Sequence, residues 1–198
     1  MKLGWFFKGL FLGVLITPVW GQVQTSGETE FGSDGKSGTF FSQYLFLDAK
    51  QWNLVGRYFW VNNALNRVEF AAGPTIKFGR NHGLLKFDFG GTSDQEVMLA
   101  GTLVIKVFGR DIVYIGDGKV ATQPDALSQY YQRFFLPIDK KAVWQFRTEH
   151  LFVGGAQAFF RIGGEYQWQF NPHAHIYIAP FYDPIVRSPG GQVGFRCF

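Results

Sequence analysis

Between Val68 and Phe78 the chain alternates without a break. Val68, Phe70, Ala72, Pro74, Ile76 and Phe78 fall on one side, and Glu69, Ala71, Gly73, Thr75 and Lys77 on the other. A period of two is what a pleated strand produces and a helix does not. The pattern recurs in Leu85, Phe87 and Phe89 against Lys86 and Asp88, and in Trp144 and Phe146 against Gln145 and Arg147. It recurs again from Phe160 to Phe170, where Arg161, Gly163, Glu165, Gln167 and Gln169 are the intervening residues. Further strands are expected near 38–48, 52–61, 97–108, 111–117, 129–138, 174–183 and 191–198. Beyond the amino-terminal segment no long stretch carries a 3.6-residue period, so the chain reads as all-β.

Residues 1–21 read differently. Lys2 and Lys8 flank an apolar run from Phe6 to Ile16, Pro18 breaks it, and Val19-Trp20-Gly21 offers small residues for cleavage. The run is short for a membrane-spanning helix, at about 1.5 Å per residue against a hydrocarbon core of about 30 Å. A cleaved signal peptide is therefore expected, leaving 22–198 as a single domain. Composition excludes other classes. With 23 Phe and 46% hydrophobic side chains the chain carries too much apolar surface to stay disordered. Its charge of +4 is scattered rather than clustered, so no nucleic-acid partner is expected. Cys197 is the one cysteine; it can form no intramolecular disulfide, and no metal or cofactor is expected.

Turn chemistry separates the strands. Gly79–Gly83, Gly109–Asp111, Asp139–Lys141 and Asn171–His173 read as short connections, while Asn62–Asn66, Gly90–Glu96, Gly118–Ser128 and Pro184–Gly191 read as longer ones. Short and long mostly take turns, the exception being Gly154-Gly155, which should be long and is short. Placing the chain's start and end on the short-turn side requires an additional weak strand within Gln22–Phe31, with Gly32–Gly38 as an outer loop. The count is then twelve antiparallel strands in an up-and-down barrel, with ten or eight as alternatives if some segments are loops.

Side-chain size separates a membrane barrel from a soluble one. Opposite the bulky rows stand Ala71, Gly73, Thr75, Ala100, Thr102 and Gly163. A soluble barrel would place long solvated groups there and would have to pack most of the Phe residues inside. Small barrels have no such room. The Phe rows are therefore expected to face lipid. Trp52, Tyr58, Trp60, Tyr130, Tyr131, Trp144, Trp168, Tyr177 and Tyr182, near strand ends, suit interfacial girdles.

With its signal segment, alternating strands and terminal Phe198, the chain resembles bacterial outer-membrane β-barrel proteins, porin-like ones included, as a class. The resemblance implies residence in the cell outer membrane, in contact with its lipid bilayer, and recognition of the last strand by the outer-membrane assembly machinery, here through Val193, Phe195 and Phe198. One departure is visible. Counting back from Phe198 gives Arg196, Gly194 and Gln192, whereas Val193, Phe195 and Cys197 have the other parity, so a terminal bulge or a frayed Phe198 is required.

The expected lumen face carries Arg57, Lys77, Lys86, Lys106, Arg133, Arg147, Arg161 and Arg196 against Glu69, Asp88, Glu149 and Glu165. Eight cations against four carboxylates make a positive interior. It suits a passive channel for small polar or anionic solutes, constricted by loops near 90–96 and 118–128, in which guanidinium groups relay a small-solute ligand. Salt bridging that merely closes a narrow barrel is the competing account. No catalytic residue is assigned, and the chain is read as no enzyme. The alternatives are a lipid-modifying barrel enzyme, for which Thr148 and His150 on a lipid-facing row are the candidates, and a non-conducting barrel that scaffolds a partner. His173 and His175, with Tyr177 and Asp183 on the same face, could share an ion, but rim polarity explains them as well.

Overall fold

The computed structural model describes residues 23–34, 38–49, 51–61, 65–79, 83–122, 127–138 and 143–198. The expected signal segment 1–21 lies outside them, as do residues 35–37 of the expected outer loop Gly32–Gly38, whose flanks Gly32–Asp34 and Gly38 are strand instead. Every alternating segment is a strand: β1 (Val23–Asp34), β2 (Gly38–Ala49), β3 (Trp52–Val61), β4 (Leu65–Phe78), β5 (Gly83–Thr92) and β6 (Val97–Val107). They continue as β7 (Arg110–Val120), β8 (Gln129–Pro137), β9 (Trp144–Val153), β10 (Ala156–Asn171), β11 (Ala174–Asp183) and β12 (Ser188–Cys197). Each is antiparallel to its neighbours in sequence, and β1 pairs with β12 from Gly27↔Cys197 to Asp34↔Gly190, closing a twelve-stranded barrel. Closure leaves no strand edge unpaired, which is what a sheet without surrounding water requires. Odd strands run from the rim that holds the chain ends to the opposite, distal rim; even strands return.

The connections correct the expected contrast between short and long. Gly90–Thr92 belong to β5, Gly118–Val120 to β7 and Ser188–Gly191 to β12. Polar and Gly-rich as they are, these residues gain backbone partners by extending the ladder, as in Gly90↔Met98, Gly118↔Tyr130 and Gly191↔Pro180. Only 121–128 remains long at the distal rim. The short link between β9 and β10 has a local cause: Gly154 and Gly155 have φ of 58° and 84°. A two-residue hairpin turn of type I′ needs positive φ at both positions, which glycine adopts without strain.

Burial follows the alternation. Phe70, Phe87 and Phe89 are exposed at 57–64% while Glu69 and Asp88 next to them are at 0% and 3%. Apolar groups outside and ions inside invert the arrangement of a soluble barrel, so this wall faces hydrocarbon. Each Phe side chain so placed contributes about 1.5–3 kcal/mol relative to water. Trp52, Trp144 and Trp168 ring the terminal rim on the outside; Tyr130 and Tyr182 are exposed toward the distal one. Two expected girdle members, Tyr131 and Tyr177, instead share the parity of Arg133 and Ala179 and point into the barrel, where Tyr177 is 1% exposed. Small residues on the inner face, Ala71 and Ala100, leave room for Met98 against them.

At the seam, Val193 and Phe195 face outward while Phe198 lies beyond β12. Its backbone N donates to His173 O at 2.9 Å, and its ring stands 5.1 Å from that of His175. Phe198 is thus held against the β10–β11 turn and the start of β11 although it stands outside the last strand.

Candidate functional site

Inner-face side chains from facing strands meet in two ionic clusters. The first centres on Glu30 of β1. Its carboxylate accepts from Arg133 Nη2 at 2.8 Å, Arg147 Nη2 at 2.8 Å, Tyr177 Oη at 2.6 Å and Ser42 Oγ at 3.0 Å. Arg147 also reaches Glu165 at 2.8 Å and Glu149. Arg196 pairs with Glu28 at 2.7 Å and Glu165 at 2.5 Å. The second cluster lies on β3, β4 and β7 with Glu96 from the β5–β6 connection: Arg57 donates to Asp117 at 2.6 Å, Arg67 pairs with Glu69 at 3.0 Å and Glu96 at 3.1 Å, and Lys119 bridges Asp117 at 2.7 Å and Glu69 at 3.0 Å. Between them stands Tyr44, its ring 5.5 Å from the Arg57 guanidinium and 5.8 Å from that of Arg133. Nearer the terminal rim Asn53 donates to Asp88 at 2.6 Å and Lys86 pairs with Asp48.

Burying any one of these charges alone would be costly; shared among two or three opposite charges, the cluster roughly breaks even. Its consequence is geometric. Tyr44 on β2 and Arg133 on β8 occupy opposite sides of the twelve-strand ring, and their contact crosses the bore. Side chains therefore narrow the bore at mid-height.

Of the residues selected from sequence, Arg57, Glu69, Asp88, Arg133, Arg147, Glu149, Arg161 and Glu165 are buried within the barrel, and Lys86 and Arg196 are partly so. Lys77 and Lys106 are exposed: they keep the inward parity but stand at the ends of β4 and β6, where the strands pass the rim. The net-positive interior is also corrected. Among the described residues the buried cations are Arg57, Arg67, Lys119, Arg133, Arg147 and Arg161, against Glu30, Glu69, Asp88, Glu96, Asp117, Glu149, Glu165 and Asp183. Six face eight. Glu30, Arg67, Glu96 and Lys119 escaped the sequence reading because they sit in the weak first strand or at strand ends read as loop; for Arg67 and Lys119, inward parity carried past the strand end was the available signal.

The histidine constellations do not assemble. His175 Nδ1 lies 3.2 Å from Gln167 Oε1 at the terminal rim, whereas Asp183, at the distal end of the same strand, binds the backbone N of Ile185 at 2.8 Å. Among the described residues no group of His, Cys, Asp and Glu could hold a metal ion. On the outer face His150 packs 4.1 Å from the Phe160 ring and 3.3 Å from Gln157 Nε2, while Glu149, the acid next to it in sequence, points inward.

Above the ionic layer the distal half opens into a cavity of about 290 Å³. Phe40, Phe59, Val61, Leu151 and Phe159 wall it, and Arg133 and Arg161 lie at its edge. The Arg161 guanidinium is stacked among Phe159, Phe181 and Phe40 at 4.2, 4.7 and 5.0 Å.

Comparison with known structures matches this closed twelve-strand wall. The KdgM porin aligns at a TM-score of 0.62 with 12% identity, over 87% of this chain and 98% of that one. The fold is that of the outer-membrane porins. The NanC porin aligns at 0.59 with 13% identity, over 87% and 99%, and the Acinetobacter baumannii outer membrane protein Omp33 at 0.51 with 10% identity, over 89% and 97%. No protein-family model matches the chain, and no curated protein matches it in sequence.

Proposed function

We propose that this porin-fold barrel is a passive channel of the bacterial outer membrane for small polar or anionic solutes. The observation that carries the reading is the guanidinium column on the inner wall, Arg161 and Arg133 at the distal cavity and Arg147 beneath, each already engaged with shared carboxylates. A solute carboxylate replaces one acceptor at a time, exchanging one charge-assisted hydrogen bond for another. Because side chains bridge the bore, the path is narrow and passage is stepwise. One porin of this fold has been solved with oligogalacturonate, an acidic sugar polymer; acidity of the solute is the property taken over here.

Planar-bilayer recording with the purified barrel in a salt gradient tests the reading. A reversal potential that moves toward the cation side in the Arg133→Ala, Arg147→Ala and Arg161→Ala variants whose heat-modifiable gel migration shows folding is expected. Absence of unit conductance in the unmodified barrel overturns it and favours a second reading, a non-conducting barrel, for which the Glu30–Arg133 contact across the bore is the supporting observation. Outer-membrane fractionation tests the location. Residues 1–21 as a cleaved signal, and Val193, Phe195 and Phe198 as the assembly signal, complete the proposal.

A further inference from the structure

Two places in the wall interrupt strand pairing without shifting its register. β4 and β5 pair up to Ala72↔Phe89 and again from Thr75↔Lys86; β10 and β11 pair up to Gly163↔Phe181 and again from Tyr166↔Ile178. The other neighbouring strands pair without such a gap, apart from a register shift between Gln157 and Phe159. Each gap holds a proline inside its strand, Pro74 after Gly73 and Pro180 across from Gly163 and Gly164. A proline donates nothing to the ladder and is ordinarily confined to edges, strand starts or bulges. Glycine lets the backbones close up: a Cβ on Gly73 would lie 1.6 Å from Phe87 O, and one on Gly163 2.1 Å from Pro180 O. With a donor missing and no side chain between the backbones, each seam resists bending less than the wall around it.

The seams are opposite one another. Six strands, β5 to β10, lie between them on one side, and β11, β12 and β1 to β4 on the other. A closed wall of fixed strand number widens only by changing the shape of its cross-section, and bending at two opposite lines does that. The buried ions follow the same division. Arg133 and Arg147 reach Glu30 at 2.8 Å, Arg57 reaches Asp117 at 2.6 Å and Lys119 reaches Glu69 at 3.0 Å, each from one half-shell to the other. Each of these cations also has a carboxylate in its own half: Glu149 for Arg133, Glu165 for Arg147, Glu69 for Arg57 and Asp117 for Lys119. Moving the halves apart therefore leaves none of the four without an acid. Glu30 has both of its arginines across the bore, and in its own half it keeps Tyr177 Oη at 2.6 Å and Ser42 Oγ at 3.0 Å.

We infer that the two half-shells are hinged along these seams and latched by Glu30, and that a solute carboxylate taken up by Arg133 and Arg147 releases the latch and widens the bore. The inference deepens the channel reading, on which it rests for the anion that arrives.

The test is hydrogen–deuterium exchange of the folded barrel in detergent, with acetate replacing chloride at constant ionic strength, alongside planar-bilayer recording in the same salts. Amides of 72–75, 86–89, 163–166 and 178–181 should exchange about tenfold faster in acetate, while those of β6 to β8 keep their rate. In the bilayer, acetate should raise the share of time spent at a wider conductance level. Pro74→Ala/Pro180→Ala returns an N–H to each seam and should hold the barrel at the narrower level. Glu30→Gln should favour the wider level without acetate, and the two proline replacements added to it should restore the narrower one. A fixed strut predicts instead that Glu30→Gln widens the bore with or without the prolines; that result overturns the hinge. The exchange measurement needs no variant, so the inference stays testable if the proline replacements fail to fold. Acetate-dependent exchange at the seams of a barrel that does not conduct supports the hinge and removes the channel reading. Conductance with seam exchange indifferent to acetate overturns the hinge and leaves the channel.

Discussion

Glu30 on β1 and Arg133 on β8 stand five strands apart around the wall, yet their side chains close to 2.8 Å. Nothing between neighbouring strands requires this contact; it is a strut across the bore. Removing one partner strands a buried charge, which costs about 3–5 kcal/mol. Glu30→Ala should therefore unfold at lower urea and, while folded, show a higher unit conductance. The Glu30→Ala/Arg133→Ala pair should recover part of the stability and conduct at least as well, because no unmatched guanidinium remains there. Conductance unchanged in both variants would show that ions bypass this point.

Tyr44 stands between the two ionic clusters, its ring close to the guanidinium groups of both Arg57 and Arg133. Each ring–guanidinium contact is worth about 0.5–2 kcal/mol. Tyr44→Phe should keep stability and conductance near those of the parent, and Tyr44→Ala should lower the first and raise the second. Equal behaviour of the two variants in bilayer recording and urea titration would remove the ring from the constriction.

The outer wall makes a separate prediction. Phe87 sits midway along β5 and is 57% exposed on the outside. Phe87→Arg should cost about 2–4 kcal/mol in vesicle-embedded urea titrations. Lys77→Ala, at the rim, should stay within about 0.5 kcal/mol. A mild Phe87→Arg would mean that this face meets water or protein instead of hydrocarbon.

Close approach of two backbones explains Gly73. A Cβ there would lie 1.6 Å from the carbonyl oxygen of Phe87, which is main chain and cannot rotate away. At Gly118 the nearest heavy atom to a Cβ is 4.0 Å off, at the Tyr130 ring. Gly73→Val should abolish the heat-modifiable folded band, and Gly118→Ala should retain it. A folded Gly73→Val barrel would show that β4 and β5 can separate locally.

Strand number and the direction each face looks were legible because alternation is local: Val68–Phe78 declares both within eleven residues. Even the weak first strand emerged, from the need to return both chain ends to one rim. The lumen was legible only in part. That Arg133 points inward follows from parity; that its partner is Glu30, 103 residues away, follows from strand tilt and stagger, which no single strand encodes. The expected positive interior failed for a different reason: Glu30 and Glu96, two of the balancing carboxylates, came from the weak first strand and from a stretch read as loop. Phe40, Phe59 and Phe159 were legible as strand residues but not as cavity wall, because inward aromatics look like any other members of an alternating row.

The pairing of β1 with β12 bears on how the wall can be made. Until residues 188–197 dock, β1 and β11 each present a row of bare amides and carbonyls that acyl chains cannot satisfy. Glu28 also waits for Arg196, which comes with that same last strand. Insertion of this polypeptide is therefore a single commitment: it enters the bilayer sealed, or it enters with both raw margins sheltered by something other than lipid.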